Sequence, residues 1–199
     1  MKFFNTAGPV NCDMHYCLPP LSRFDLEEIE MLIAQHKYFI LHAPRQTGKT
    51  SCMLALMKHL NEKGMTCLYV NVESAQACRE NIHDALRSIL GEIASRAQTH
   101  LNNDYLDQIW IETLENRGHS ALNHLLTQWT KMDHQPKVLI IDEIDSLIGD
   151  TLISVLRQLR SGYDKRPQSF PQSIILCGLR DVRDYRIHSS AEKTIITGG

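Results

Sequence analysis

Two short clusters hold the residue types that could do chemistry. The first is Ala43-Pro44-Arg45-Gln46-Thr47-Gly48-Lys49-Thr50, followed by Ser51. It satisfies the pattern G-x-x-x-x-G-K-[ST] at every fixed position except the first, where Ala43 stands for glycine. Gly48 lets backbone approach a phosphate closely and tolerates φ > 0. Successive backbone N–H groups of such a loop form an anion nest, and a helix beginning near Lys49 adds the positive end of its dipole. The Lys49 ammonium reaches β and γ phosphates, and the Thr50 hydroxyl is a ligand for Mg²⁺. The methyl group of Ala43 fits provided the backbone there has φ < 0. Residues Ala43 to Ser51 are therefore candidate contacts to a nucleoside triphosphate.

The second cluster is Asp142-Glu143, at the end of the apolar run Val138-Leu139-Ile140-Ile141. Ligands of open α/β sheets bind at the C-terminal edge of the strands, where these acids would stand. Asp142 is expected to hold Mg²⁺, directly or through water. Glu143 is expected to polarise an attacking water as general base. Asp145 extends the run to Asp-Glu-Ile-Asp and either supports the site from one step behind these acids or, the favoured reading, caps the following helix.

The elements needed to position these residues are visible in the pattern. Tyr38-Phe39-Ile40-Leu41-His42 reads as a buried strand leading into the first cluster, with a helix from Lys49 to about Lys63 stopped by Gly64. Asp25 is a plausible cap for an earlier helix running to about Gln35. Cys67 to Val72 reads as a second strand, Lys137 to Ile141 as a third and Ser173 to Cys177 as a fourth. Between the second and third, residues 77–131 have helical periodicity, with breaks near Asn102-Asn103 and Gly118. A further helix spans about Asp150 to Ser161. Strands alternating with helices predict an α/β fold with a mainly parallel sheet. Residues 1–20 form an irregular arm and 21–199 a single domain. This strand–loop–helix context separates the Gly-Lys-Thr triplet from a chance match.

At these two motifs, the Walker A and Walker B positions, the sequence resembles the P-loop ATPases of the additional-strand, catalytic-glutamate class, and within it the AAA+ and STAND-type "AAA-like" proteins. A looser third match is Ile174-Ile175-Leu176-Cys177-Gly178-Leu179-Arg180-Asp181. The resemblance implies a three-layer P-loop NTPase fold with sheet order 5-1-4-3-2. It implies ATP as ligand with Mg²⁺ as cofactor, Arg180 as a γ-phosphate sensor at the tip of the fourth strand, and Arg23, in Leu21-Ser22-Arg23-Phe24, on the adenine side. It is compatible with a homo-oligomer or a protein partner. The family continues with a fifth strand and a helical lid, whereas this sequence ends at Gly199. The expectation is either a fragment or truncated product of a longer protein or a domain without a lid, and without the fifth strand the phosphate-loop strand would lie at an open sheet edge. No arginine finger stands out, and Arg157, Arg160 and Arg166 read mostly as solvated.

Composition bounds the rest. The chain has 199 residues, 43% hydrophobic and 22% charged, with a net charge of −2. That is the balance of one globular domain, without the basic excess of a nucleic-acid binder. No apolar run approaches the roughly 20 residues of a spanning helix, and the N-terminus has no signal-peptide core. Of six cysteines, Cys52, Cys67, Cys78 and Cys177 sit in apolar patterns. Cys12, His15 and Cys17 lack a fourth zinc ligand at a usual spacing and read as loop residues. Free thiols throughout and a cytoplasmic setting are expected. The leading functional reading is an ATPase that turns over slowly. Alternatives are a nucleotide-gated switch or scaffold and a nucleic-acid motor or loader.

Overall fold

The computed structural model describes residues 2–6, 11–44 and 46–179, with the backbone of two short strands, Ile187–His188 and Thr194–Ile195. Four strands, β1 (Tyr38–His42), β2 (Thr66–Asn71), β3 (Lys137–Asp142) and β4 (Ser173–Gly178), form one sheet in the order β1-β4-β3-β2. All three pairings are parallel. The fourth strand is thus inserted between the phosphate-loop strand and the acidic strand, as the resemblance implied. Among the described residues β1 has β4 as its single sheet neighbour. The last two strands, β5 (Ile187–His188) and β6 (Thr194–Ile195), pair antiparallel with each other and not with the main sheet.

Among the described residues six α-helices cover the sheet: α1 (Leu26–Ala34), α2 (Lys49–Glu62), α3 (Ile82–Leu101), α4 (Tyr105–Arg117), α5 (Ala121–Lys131) and α6 (Gly149–Arg160). Alternate residues of each strand enter opposite cores, because strand side chains alternate across the sheet. Cys67, Tyr69, Val138, Ile140, Ile175 and Cys177 pack with Ile29 and Ile33 of α1 and with Met53, Leu56 and Leu60 of α2. Leu68, Val70, Leu139, Ile141 and Ile174 pack beneath α3 to α6, around Leu90, Leu122 and Trp129. With both faces covered, β2, β3 and most of β4 are buried along their length, hence their near-continuous apolar runs. No helix among the described residues is long and apolar enough to cross a membrane.

Local signals set most boundaries. The Asp25 carboxylate accepts from Glu28 N at 3.0 Å and starts α1. Asn102, in left-handed conformation, ends α3, and Gly118 with φ +48 ends α4. The start of α3 differs from expectation. A 3-10 turn at Glu73–Cys78 precedes it, and Asn81 caps it through a 3.2 Å bond from Asp84 N.

Two expectations are corrected. Cys12 and Cys17 are joined in a disulfide, so the thiols are not all free; the other four cysteines are. The four-residue spacer lets the arm turn back, with Phe3 N donating to Met14 O and Tyr16 N to Phe3 O. Two of the three arginines, Arg157 and Arg160, are exposed as expected, and Arg166 is the exception. Its guanidinium stacks 3.3 Å from the Tyr163 ring centroid and 4.7 Å from that of Tyr38, and it donates to His36 O. Finally, Asp145 caps no α-helix. It lies in a 3-10 turn, Ile144–Ser146, while the N-cap position of α6 is Ile148.

Candidate functional site

The segment between β1 and α2 turns sharply at the C-terminal edge of the sheet. Ala43 N donates to Gly178 O of β4 at 3.3 Å, and Thr47 Oγ1 closes the loop on Pro44 O at 2.8 Å. Ala43 is not among the residues with positive φ, which is the condition its methyl group needs. Gly48 is the N-cap of α2 with φ 81 and ψ 23, and no side chain caps the helix. Gly48 itself offers the first-turn N–H groups no side-chain acceptor, and a helix N-terminus is where an anion is received. Lys49 Nζ donates to Ala43 O at 3.2 Å and Gly178 O at 3.1 Å, which holds the ammonium across the mouth of the loop.

The acidic strand ends beside this loop. Asp142 is fully buried. Its Oδ2 accepts from Thr50 Oγ1 at 3.0 Å and from the Tyr69 hydroxyl at 2.8 Å, while Oδ1 accepts from Glu143 N at 3.0 Å. Glu143 has left-handed backbone, φ 57 and ψ 38, a conformation that is costly for a residue with a Cβ and is concentrated at functional sites. Burial, and then the Asp142 charge, push its carboxyl above the usual glutamate range, against the opposing pull of Lys49. One edge thus gathers Gly48, Lys49, Thr50, Asp142 and Glu143 from two segments far apart in the chain.

Residues 33–185, more than half of the chain, match a family described as the AAA domain. The chain belongs to the AAA domain family. No curated protein matches the sequence. AAA domains are P-loop NTPase domains, and the α/β architecture with its four parallel strands agrees with that fold.

In this AAA domain the Thr50 hydroxyl and the Asp142 carboxylate are hard oxygen donors that suit Mg²⁺. No group of three or more His, Cys, Asp or Glu among the described residues could hold a metal. A cleft of about 280 Å³ opens beside the loop, with Arg23, Phe24, Leu41, Thr47, Lys49 and Met53 in its lining. Arg23 reaches further over the loop than the sequence suggested. A Cβ placed on Gly48 would lie 2.5 Å from Arg23 Nη1. A larger groove of about 540 Å³ lies elsewhere, between Tyr38 of β1 and Leu156 and Leu159 of α6.

Pro44, Gln46 and Ser51 stand in the loop and first helical turn as expected, with Gln46 at φ 60. Arg45 and the sensor candidate Arg180 lie outside the described residues. Asp145 Oδ1 is buried without a hydrogen-bond partner, 2.8 Å from where a Cβ on Gly178 would sit.

Two residues escaped sequence reasoning. Cys177 lies beside Asp142, and burial, then that charge, push its thiol up to about 12, so it stays protonated. Tyr69 bonds Asp142 directly; burial and the same charge push its phenol up as well. The available signal was strand parity. Tyr69 stands two residues before the end of β2, on the face Asp142 shares if the two strands end level.

Proposed function

We propose that this AAA domain binds Mg²⁺–ATP and hydrolyses it slowly to ADP and phosphate. The observation that carries the reading is the 3.0 Å bond between Thr50 Oγ1 and Asp142 Oδ2, with Lys49 and Glu143 at the same sheet edge. The first turn of α2, behind the Gly48 N-cap, receives the phosphates through backbone N–H groups. Lys49 exchanges the carbonyls of Ala43 and Gly178 for β and γ phosphate oxygens, a stronger charge-assisted pairing. Thr50 and Asp142 hold Mg²⁺, which when bound neutralises charge on the β and γ phosphates. Glu143 orients the attacking water and accepts its proton. Arg180 remains the proposed γ-phosphate sensor and Arg23 a proposed nucleotide contact. Placement of β4 between β1 and β3, with a glutamate directly after Asp142, supports the additional-strand, catalytic-glutamate class.

A second reading is a nucleotide-gated switch with little turnover. Glu143's environment favours it, because burial beside Asp142 works against the ionised carboxylate that a general base needs. The proposed compartment is the cytoplasm, on the strength of four free thiols, and the Cys12–Cys17 bridge weighs against it.

Phosphate release and ATP affinity, measured together for wild type, Glu143→Gln and Lys49→Ala, test the proposal. Glu143→Gln should lose about 10²–10⁴-fold in turnover while keeping affinity. Equal, near-zero release in wild type and Glu143→Gln would sink hydrolysis and leave the switch. Lys49→Ala should abolish binding, and unchanged affinity in that variant would overturn the nucleotide site.

A further inference from the structure

We infer that Tyr69 is a positioning residue for the Mg²⁺–ATP site, holding the carboxylate of Asp142 in the orientation that Thr50 and the cation share. The inference rests on the reading of that site as one for Mg²⁺–ATP. It starts from sheet register. β2 and β3 run parallel with Tyr69 opposite Ile140 and Asn71 opposite Asp142, so Tyr69 and Asp142 project to the same face. The tyrosine is long enough to span the one-pleat offset, and its hydroxyl meets Asp142 Oδ2 at 2.8 Å. Both residues are buried, Tyr69 at 2% exposure and Asp142 at 0%.

Two hydroxyls converge on that one oxygen, since Thr50 Oγ1 lies 3.0 Å from it. They differ in what they can do. Thr50 must turn a lone pair toward the cation, which constrains where its proton points. Tyr69 stands outside the cation's shell and has no such second duty, so its proton can stay on the carboxylate oxygen that the cation draws on. With Glu143 N on Oδ1, the carboxylate is tied at both oxygens and cannot rotate freely about its Cβ–Cγ bond. The Tyr69 ring is itself braced. The Arg96 guanidinium carbon lies 5.7 Å from its centroid, and Arg96 Nε is held by Glu92 Oε1 at 2.7 Å. Partners of this kind, one step out from a metal ligand, typically change metal affinity by about 10–100-fold when removed.

Isothermal titration of ATP into wild type and Tyr69→Phe, in a Mg²⁺ series and in EDTA, decides the matter. Phenylalanine keeps the ring and removes the hydroxyl alone. The expected result is a rise of about 10-fold in the Mg²⁺ concentration for half-maximal ATP binding, with affinity in EDTA unchanged. Equal losses with and without Mg²⁺ would show a merely structural tyrosine and overturn the inference, as would an unchanged Mg²⁺ requirement. Wild-type binding that ignores Mg²⁺ would instead overturn the Mg²⁺–ATP reading, and the inference with it. Should Tyr69→Phe fail to fold, 3-fluorotyrosine at position 69 retains the hydroxyl. Its fluorine resonance must then move when Mg²⁺ is added to the ATP complex, and a stationary resonance overturns the inference.

Discussion

Gly48 shows how much one residue position can carry. Its φ of +81 lies in the left-handed region, where a Cβ costs about 1–2 kcal/mol. The same missing Cβ leaves room for Arg23 Nη1, which would stand 2.5 Å from an added methyl group. Gly48→Ala therefore strains the loop and displaces Arg23 together. The expected outcome is a Tm lowered by about 2–8 °C, from that strain and a slope of about 2–4 °C per kcal/mol, with ATP affinity weakened in calorimetry. An unchanged affinity would mean that the loop relaxes without consequence. Lys49, Thr50, Asp142 and Glu143 were legible in the sequence because each pair is contiguous and its chemistry is implied by residue type. Tyr69 was not, because strand parity points it at Asp142 only once the register of β2 and β3 is known, and the two residues are 73 apart in the chain. The disulfide was missed for a different reason. Compositional reasoning about compartment overrode a C-x₄-C spacing that the arm's turn brings to a Cα–Cα distance of 5.4 Å.

Among the elements, α5 illustrates a boundary that local sequence cannot supply. Ser120 stands at its N-cap position without making a side-chain cap bond. The buried Gln158 of α6 does the capping, with Oε1 accepting from Leu122 N at 2.9 Å and Asn123 N at 3.3 Å. Asn123 Nδ2 returns a 2.9 Å bond to Gln158 O, so the two helices satisfy each other's backbone. Gln158→Leu keeps the volume and leaves those N–H groups unsatisfied. It should destabilise the fold by about 1–3 kcal/mol in chemical denaturation, with the nucleotide site untouched. A loss well under that range would mean that water replaces the side chain. By contrast, Asp25 as a cap, the break at Asn102 and the stop at Gly64 were all readable, since each depends on one residue's own side chain or φ. The Asp145 cap was misread because aspartate is a favoured N-cap type, while the backbone there takes a 3-10 turn and α6 begins at Gly149, close to the expected start and too far on for Asp145 to cap.

At the scale of the molecule, α1 and α2 are clamped over one face of the sheet by a polar contact at its rim. Glu30 of α1 meets His59 Nε2 of α2 at 2.6 Å and also the Lys63 ammonium just beyond that helix. These bonds, Lys63 first and then His59, hold the Glu30 carboxyl below its usual value of 4.5. A carboxylate with a depressed folded-state pKa adds stability that is present above its unfolded pKa and lost as pH falls through the folded one. The contact is part exposed, so it is worth at most about 1 kcal/mol. Glu30→Gln should lower Tm at pH 7 by about 1–4 °C, and the gap between variant and wild type should close below the ordinary glutamate range. Thermal melts across pH check this, and a gap that persists in acid would place the effect in packing. The sequence by itself determined the α/β alternation, the two-faced burial of the strands, the phosphate loop and the paired acids, because these follow from periodicity and adjacent residue types. Tertiary structure alone decided which strand lies beside which, since a buried parallel strand reads the same wherever it sits in a sheet. The β1-β4-β3-β2 order agrees with the family resemblance, and no residue pattern within the strands encodes it. It also decided that Tyr69 meets Asp142, that Arg23 covers Gly48 and that Arg166 stacks on two tyrosines. Those contacts arise when segments far apart in the chain are brought side by side, and no local pattern records them.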